Sequence, residues 1–233
     1  MTESFAAPAS DVPGLPEELW GEIGAYLSRE GLAGLAGVDR QFHEQFSGVV
    51  RVGDQDQLEA ALAFEGAWCI AVEAAGLTVT RAAVHNVPII ALTDVRVSAG
   101  LVHARGDVHV TACGDASVRA TDQARVTAHD QAFVHADGQA QVAAHGRSTV
   151  HAGHQVQVAA QDQTRVYAYD RTQVTAHGRS TVHAHHQAQV TAHGQTTVFA
   201  EDQAQIAAHD RTTVRAYQHV QVTAHDQADV KYR

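Results

Sequence analysis

Large side chains are scarce in this sequence: aromatic residues are only 6% of the chain and methionine occurs once, which excludes a core built on bulky anchors. Cysteine occurs twice, at Cys69 and Cys113, in no spacing used for metal or redox chemistry, and a disulfide framework is excluded. Lysine occurs once, at Lys231, and basic residues never cluster, so the field required for non-specific nucleic-acid binding is missing. There is no apolar run of about 18 residues, and the stretch from Met1 to Gly14 has neither a basic start nor an apolar segment of signal length. The expectation is a soluble, cytoplasmic protein with no nucleic-acid and no membrane partner.

Alanine and valine are present instead. They dominate a hydrophobic share of 45%, which predicts a thin core of small side chains between closely stacked backbones, as in repeat proteins. The formal net charge of −10 is concentrated at the front of the chain. Residues 1–66 hold 3 bases against 12 acids, whereas residues 67–233 hold 13 against 14.

Self-similarity is the strongest signal. From Val110 a branched aliphatic stands at every eighth residue, through Val118, Val126 and Val134 to Ile206, Val214, Val222 and Val230, without a break. Two residues after each, through Val222, stands Ala, and two before stands a short residue, usually Ala, Thr or Ser. This period-two alternation reads as a short strand with one buried face. Asp, Gly or His followed by Gln or Arg comes next and suits a tight corner. A second period lies within the first. The residue after the aliphatic alternates between small (Thr111, Thr127, Ala143, Ala159, Thr175, Thr191, Ala207, Thr223) and large (Arg119, His135, His151, Tyr167, His183, Phe199, Arg215, Lys231). The repeat is therefore 16 residues with two strands per coil. The predicted fold is mainly β, a two-faced β-solenoid with a small N-terminal α-helical module. A single meander would leave its Val/Ala face without a partner, whereas a coil closes that face on itself. The regular series makes about 7.5 coils, stacked about 4.8 Å apart. This repeat resembles that of bacterial octapeptide-repeat proteins.

Upstream, Val79, Val87 and Val95 keep the spacing, and a seven-residue step to Val102 shifts the phase, which places the solenoid at 67–233. Residues 49–66 are expected to be a capping segment with a short helix, because Asp54 is a suitable N-cap and Leu58, Ala61 and Leu62 have helical spacing. At the far end, Asp229, Lys231 and Arg233 charge the last strand and protect an open edge, while Tyr232 leaves a homodimer through this edge open.

Residues 1–14 read as a disordered tail, and residues 15–48 as short amphipathic helices. In the latter stretch Leu19, Ile23, Tyr26 and Leu27, then Leu32 and Leu35, then Val38, Phe42 and Phe46 recur at helical spacing. Leu15-Pro16 with Glu18-Leu19, the step from Ile23 to Tyr26-Leu27, and Leu32, Leu35, Val38 and Phe42 resemble the F-box, a helical motif that docks adaptor proteins onto the Skp subunit of cullin-type ubiquitin ligases. The resemblance covers about one seventh of the chain. It implies a Skp-like protein partner, with Leu15, Pro16, Leu19, Ile23, Leu27 and Leu35 as the contact residues. The family's common third-helix Trp is Phe42 here, and Gly21, Gly24, Gly34 and Gly37 weaken the helices.

Chemistry-bearing residues recur with the repeat. His129, His145, His177, His193, His209 and His225 take one position per coil, with Gln161 in the missing step. Imidazoles at this spacing offer nitrogen ligands for zinc or another divalent metal. No carboxylate or cysteine partner recurs with the geometry a metal requires, however, and a corner role with no cofactor is the favoured reading. Stacked histidines resist protonation, which predicts a stack that loosens in mild acid. Gln141, Gln157, Gln173, Gln189, Gln205 and Gln221 form another column, expected to be joined by amide–amide hydrogen bonds. With the Thr/Ala column they make a flat face open to a second copy of the chain or, as a further alternative, to ice. The recurrent acids Asp130, Asp162, Asp170, Asp202, Asp210 and Asp226 are read as Asx-turn residues. No phosphate loop, nucleophile elbow or HExxH motif occurs, and no catalytic residue is assigned. The expected function is non-enzymatic protein interaction or scaffolding. The solenoid face would be Arg119, His135, His151, Arg165, Tyr167, His183, Phe199 and Arg215, with Phe133, Tyr169 and Tyr217 beside them. A self-associating structural solenoid is the alternative.

Overall fold

The structure is a computed structural model that describes residues 49–64, 69–83, 88–217 and 219–233. The F-box-like residues Leu15, Pro16, Leu19, Ile23, Leu27 and Leu35 lie outside it, as does Val87.

The described chain is a parallel β-solenoid of about 11 coils. Its first elements are β1 (Val49–Val52), α1 (Gln55–Leu62), β2 (Cys69–Val72), β3 (Leu77–Val79), β4 (Ile89–Ala91) and β5 (Val95–Val97). Seventeen four-residue strands follow at eight-residue intervals, from β6 (Leu101–Ala104) and β7 (His109–Ala112) to β21 (Gln221–Ala224) and β22 (Asp229–Tyr232). The strand β1 and the even-numbered strands form one sheet of 12 strands, and the odd-numbered strands from β3 form the other, of 10. Coils stack in parallel with no slip, so like faces like: Val134 pairs with Val150 in one sheet and Val142 with Val158 in the other.

Alternation drives this arrangement. Within each strand the Val and Ala of the x-Val-x-Ala pattern are buried and the residues between them face out, except in the last coil. Each fully buried valine contributes about 1.5 kcal/mol of hydrophobic stabilisation, and many small contributions replace a few large ones. Large buried side chains concentrate in the first coils, where Leu58, Leu62, Ile70 and Ile89 fill the end of the stack, and Ile206 is the exception farther along.

The corners rest on one backbone conformation. At every eighth residue from Gly106 to Asp210 φ lies between 53° and 75°, occupied by Gly, Asp or His. These are residue types that tolerate the left-handed region. The corner after the ten-stranded sheet shows what Asp adds. The side chains of Asp130, Asp162, Asp210 and Asp226 accept hydrogen bonds from the backbone N–H of Gly114, Gly146, Gly194 and Asp210, each in the preceding coil, at 2.8–3.3 Å. These carboxylates join coils and do not close their own turns, which corrects the Asx-turn expectation. From Ala116 to Thr212 the position two residues before the inward aliphatic is fully buried even where it is polar, and Thr196 Oγ1, for example, donates to His193 O at 2.7 Å.

Two details of the first coils go beyond the spacing read from the sequence. The twelve-stranded sheet already includes β1, paired with β2 from Val49↔Cys69 to Val52↔Val72, so the segment 49–66 supplies a strand as well as a cap. Its helix α1 is as expected: the Asp54 side chain accepts from Gln57 N–H at 2.8 Å, and Leu58, Ala61 and Leu62 are buried. In the early coils Val79 and Val95 point inward, but the residue in register with Val102 is Ile89. The spacing is irregular there because the coil lengths vary around β4, with Ile70 in register with Ile89 and Ile89 with Val102.

Candidate interaction surfaces

The outward positions of the two sheets form columns along the solenoid axis. On the twelve-stranded sheet the large outward residues run in register from Arg119 through His135, His151, Tyr167, His183 and Phe199 to Arg215. Their rings stack continuously over four coils. His151 and Tyr167 have centroids 4.5 Å apart, Tyr167 and His183 4.8 Å, and His183 and Phe199 4.8 Å, and the Arg215 guanidinium lies 5.3 Å from the Phe199 centroid. Coil spacing equals aromatic stacking distance, so one ring per 16 residues suffices to make an unbroken strip. Arg165 stands in the neighbouring outward column with Phe133 and Thr181, and Phe133 leans over His151 at 5.2 Å. Tyr169 and Tyr217 are placed differently from the sequence reading. They sit at the corner after this sheet, where Tyr169 stacks on His185 at 5.2 Å.

Burial lowers the pKa of His151 and His183 below the usual imidazole value, helped by His135 for the first and by His185 and Arg165 for the second, with Glu201 opposing at His183. His103, one coil below Arg119, is lowered by burial and then by that arginine. The lowering favours the neutral form of these three histidines, which lets the rings of His151 and His183 stack on their neighbours without repulsion.

The six recurrent histidines line the corner after the ten-stranded sheet in two runs. His129 and His145 stack at 5.1 Å, and His177, His193, His209 and His225 stack at 4.7–4.8 Å with planes within 12° of parallel. Gln161 separates the runs. Nearly parallel rings direct their nitrogen lone pairs side by side and do not converge them on one point, as a tetrahedral metal requires. Among the described residues no group of three or more His, Cys, Asp or Glu side chains is placed to hold a metal ion.

The ten-stranded sheet presents the Gln and Thr/Ala columns, and from Gln141 to Thr223 it carries no charged outward residue. The glutamines are exposed, and the expected amide–amide ladder is not formed: the side chains of Gln141, Gln157, Gln173, Gln189, Gln205 and Gln221 make no hydrogen bond to one another. Instead the groups from Gln157 to Gln221, together with Gln155, Arg171, Gln187, Gln203 and His219 at the adjoining corner, line a shallow groove of about 540 Å³.

The two ends of the stack differ. The first coils are covered by α1, whereas at the other end Val222 and Val230 are only half-buried and Tyr232 is 66% exposed. Asp229 and Lys231 form an ion pair of 2.8 Å on the last strand. Among the described residues no helix is long and apolar enough to cross a membrane. Comparison of the chain with protein-family models, with curated proteins and with solved structures finds no match in any of the three.

Proposed function

We propose that this protein is a non-enzymatic, cytoplasmic interaction scaffold, whose solenoid displays the His151–Tyr167–His183–Phe199–Arg215 strip to a protein partner. The F-box-like segment docks a second partner of the Skp class. The single observation that carries the solenoid half of this reading is the unbroken ring stack on an outer face, closed by an arginine. Aromatic residues and Arg are the usual anchors of protein interfaces, and rings fixed by their stacking neighbours lose little entropy on binding. The Skp half rests on the F-box resemblance alone.

The test is affinity capture from the native host with the full chain and two variants. Tyr167→Ser with Phe199→Ser removes the strip partner and spares the Skp-like subunit, and Leu19→Asp with Leu35→Asp does the reverse. A capture pattern unchanged by the first pair refutes the strip, and one unchanged by the second refutes the F-box-like docking.

Self-association is a second reading, favoured by the exposed apolar residues of the last coil. Ala224 and Tyr232 lie exposed there, while Ala208 and Ala216, one coil earlier, are fully buried. Native mass spectrometry reads it directly: a homodimer that dissociates in Tyr232→Asp supports it, and a monomer at all concentrations removes it.

A further inference from the structure

The corner after the ten-stranded sheet repeats one device, which lapses wherever a glycine takes the left-handed position of the next coil. Every Asp at its left-handed position, namely Asp130, Asp162, Asp210 and Asp226, places a carboxylate oxygen on the backbone N–H of the residue one coil below. At Gly178 and Gly194 two left-handed glycines follow each other, with φ of 75° and 73°. Gly178, like Asp130 and Asp162, therefore has no carboxylate above its N–H, but only here do two successive coils leave the space without a side chain. An open notch of about 490 Å³ results, lined by Gly178, Arg179, Gly194, Gln195, Asp210 and Arg211.

The charge around the notch is unbalanced. Arg179 and Arg211 are exposed, and neither forms an ion pair among the described residues, whereas Arg105 and Arg125 pair with Asp122 and Asp107 at 3.1 and 2.9 Å. The one acid in the lining, Asp210, is engaged with Gly194 N–H at 2.8 Å and lies 3.8 Å from His193 Nδ1. Two guanidinium groups and one carboxylate leave a net positive charge in this lining, beside the exposed Gly178 N–H, which donates to no protein group among the described residues. One more carboxylate would neutralise the first and satisfy the second.

We propose that this notch binds a carboxylate group supplied from outside the chain. Gly178 N–H and the guanidinium groups of Arg179 and Arg211 are its donors, in the role that an aspartate at position 194 would fill from within. The ligand is a small free carboxylate or an acidic side chain of a partner. Carboxylate is the class favoured over larger anions because it is the group used at the four equivalent positions of this corner. The notch lies off the aromatic strip and stands or falls independently of the function proposed above.

The test follows the Gly178 amide resonance of the full chain by ¹⁵N NMR at pH 7.5, at constant ionic strength, during titration with acetate, with N-acetyl-aspartate N-methylamide and with chloride. Both carboxylates shift this resonance saturably in the millimolar range, and chloride does not. Equal affinity for the two identifies free carboxylates as the ligand class, and tenfold tighter binding of the blocked aspartate identifies a partner's side chain. Gly194→Asp supplies the missing group, moves the Gly178 resonance without ligand and abolishes the titration. A Cβ at position 194 meets Gly178 O at 3.1 Å. A second variant, Arg179→Gln with Arg211→Gln, therefore tests the site without crowding it and weakens binding at least tenfold. A Gly178 shift no larger than with chloride, or binding undiminished in the double arginine variant, overturns the proposal.

Discussion

His177 and His193 stack with ring centroids 4.8 Å apart and planes 7° from parallel. The pair fixes a pH dependence. Burial, then His177 and His209, lower the pKa of His193, with Asp210 opposing, and His103, His151 and His183 are lowered too. Between these lowered values and the ordinary 6.5, the unfolded chain binds more protons than the folded one. The stability these groups contribute is therefore fully present above about pH 6.5 and is lost as the pH falls through the folded values. The unfolding midpoint by circular dichroism is expected to be level between pH 7.5 and 8.5 and lower at pH 5. His193→Gln, which copies the natural step at Gln161, is expected to reduce the drop. A midpoint equal at pH 8 and pH 5 would count against the argument.

The buried hydroxyl of Thr172 donates to Tyr169 O at 2.6 Å and stands 3.1 Å from Ala152 O in the preceding coil. Thr172→Val keeps the shape, removes that donor and is expected to cost about 1 kcal/mol. Thr172→Ala also removes the γ-methyl from a fully buried site and is expected to cost about 1 kcal/mol more. Urea unfolding of the two variants beside the parent checks the order.

The regular coils were legible because a period-two pattern with a fixed octad leaves only one inward face, and a one-residue slip would expose every valine. The small-versus-large alternation of residues such as Thr175 and Tyr167 even separated the two sheets. The early coils resisted the same reading. Strand β1 is joined to β2 through α1, and β4 is set by Ile89 between coils of unequal length, so no fixed spacing reveals either. Periodicity also placed the histidines and glutamines in columns but was silent on what each column does. Stacking follows from coil spacing for flat rings, whereas glutamine amides on an exposed face have water as a competing partner and need not bond one another. The Asp-to-amide links between coils were missed although their signal was present, in the alternation of Gly and Asp at one corner.

The two cysteines differ in burial. Cys69 is buried in β2 and its thiol is pushed up to about 12 by burial, whereas Cys113 is partly exposed at a corner. The thiolate is the reactive form. A thiol-reactive disulfide reagent at pH 8 is expected to modify one equivalent rapidly in the folded protein and a second only in denaturant. Cys113→Ser removes the rapid phase, and a rapid phase surviving in that variant would show that the first coils open readily.

Asp162 separates the two demands of a corner. Its φ is 61° and its Oδ2 accepts from Gly146 N–H at 3.0 Å. Asp162→Asn keeps an acceptor and a residue type tolerant of the left-handed region, and is expected to lie within about 0.5 kcal/mol of the parent. In Asp162→Gly the conformation is free but the inter-coil bond is lost and the unfolded chain gains entropy, at a cost of about 1 kcal/mol. Asp162→Ala loses the bond and leaves a Cβ in the left-handed region without the short polar side chain that eases it there, so it is expected to cost more than Asp162→Gly. The expected order of unfolding midpoints is Asp, Asn, Gly, Ala. If Gly and Ala proved equal, the carboxylate would be the dominant contribution of Asp at this corner, and if Gly matched Asp, the inter-coil bond would contribute nothing measurable.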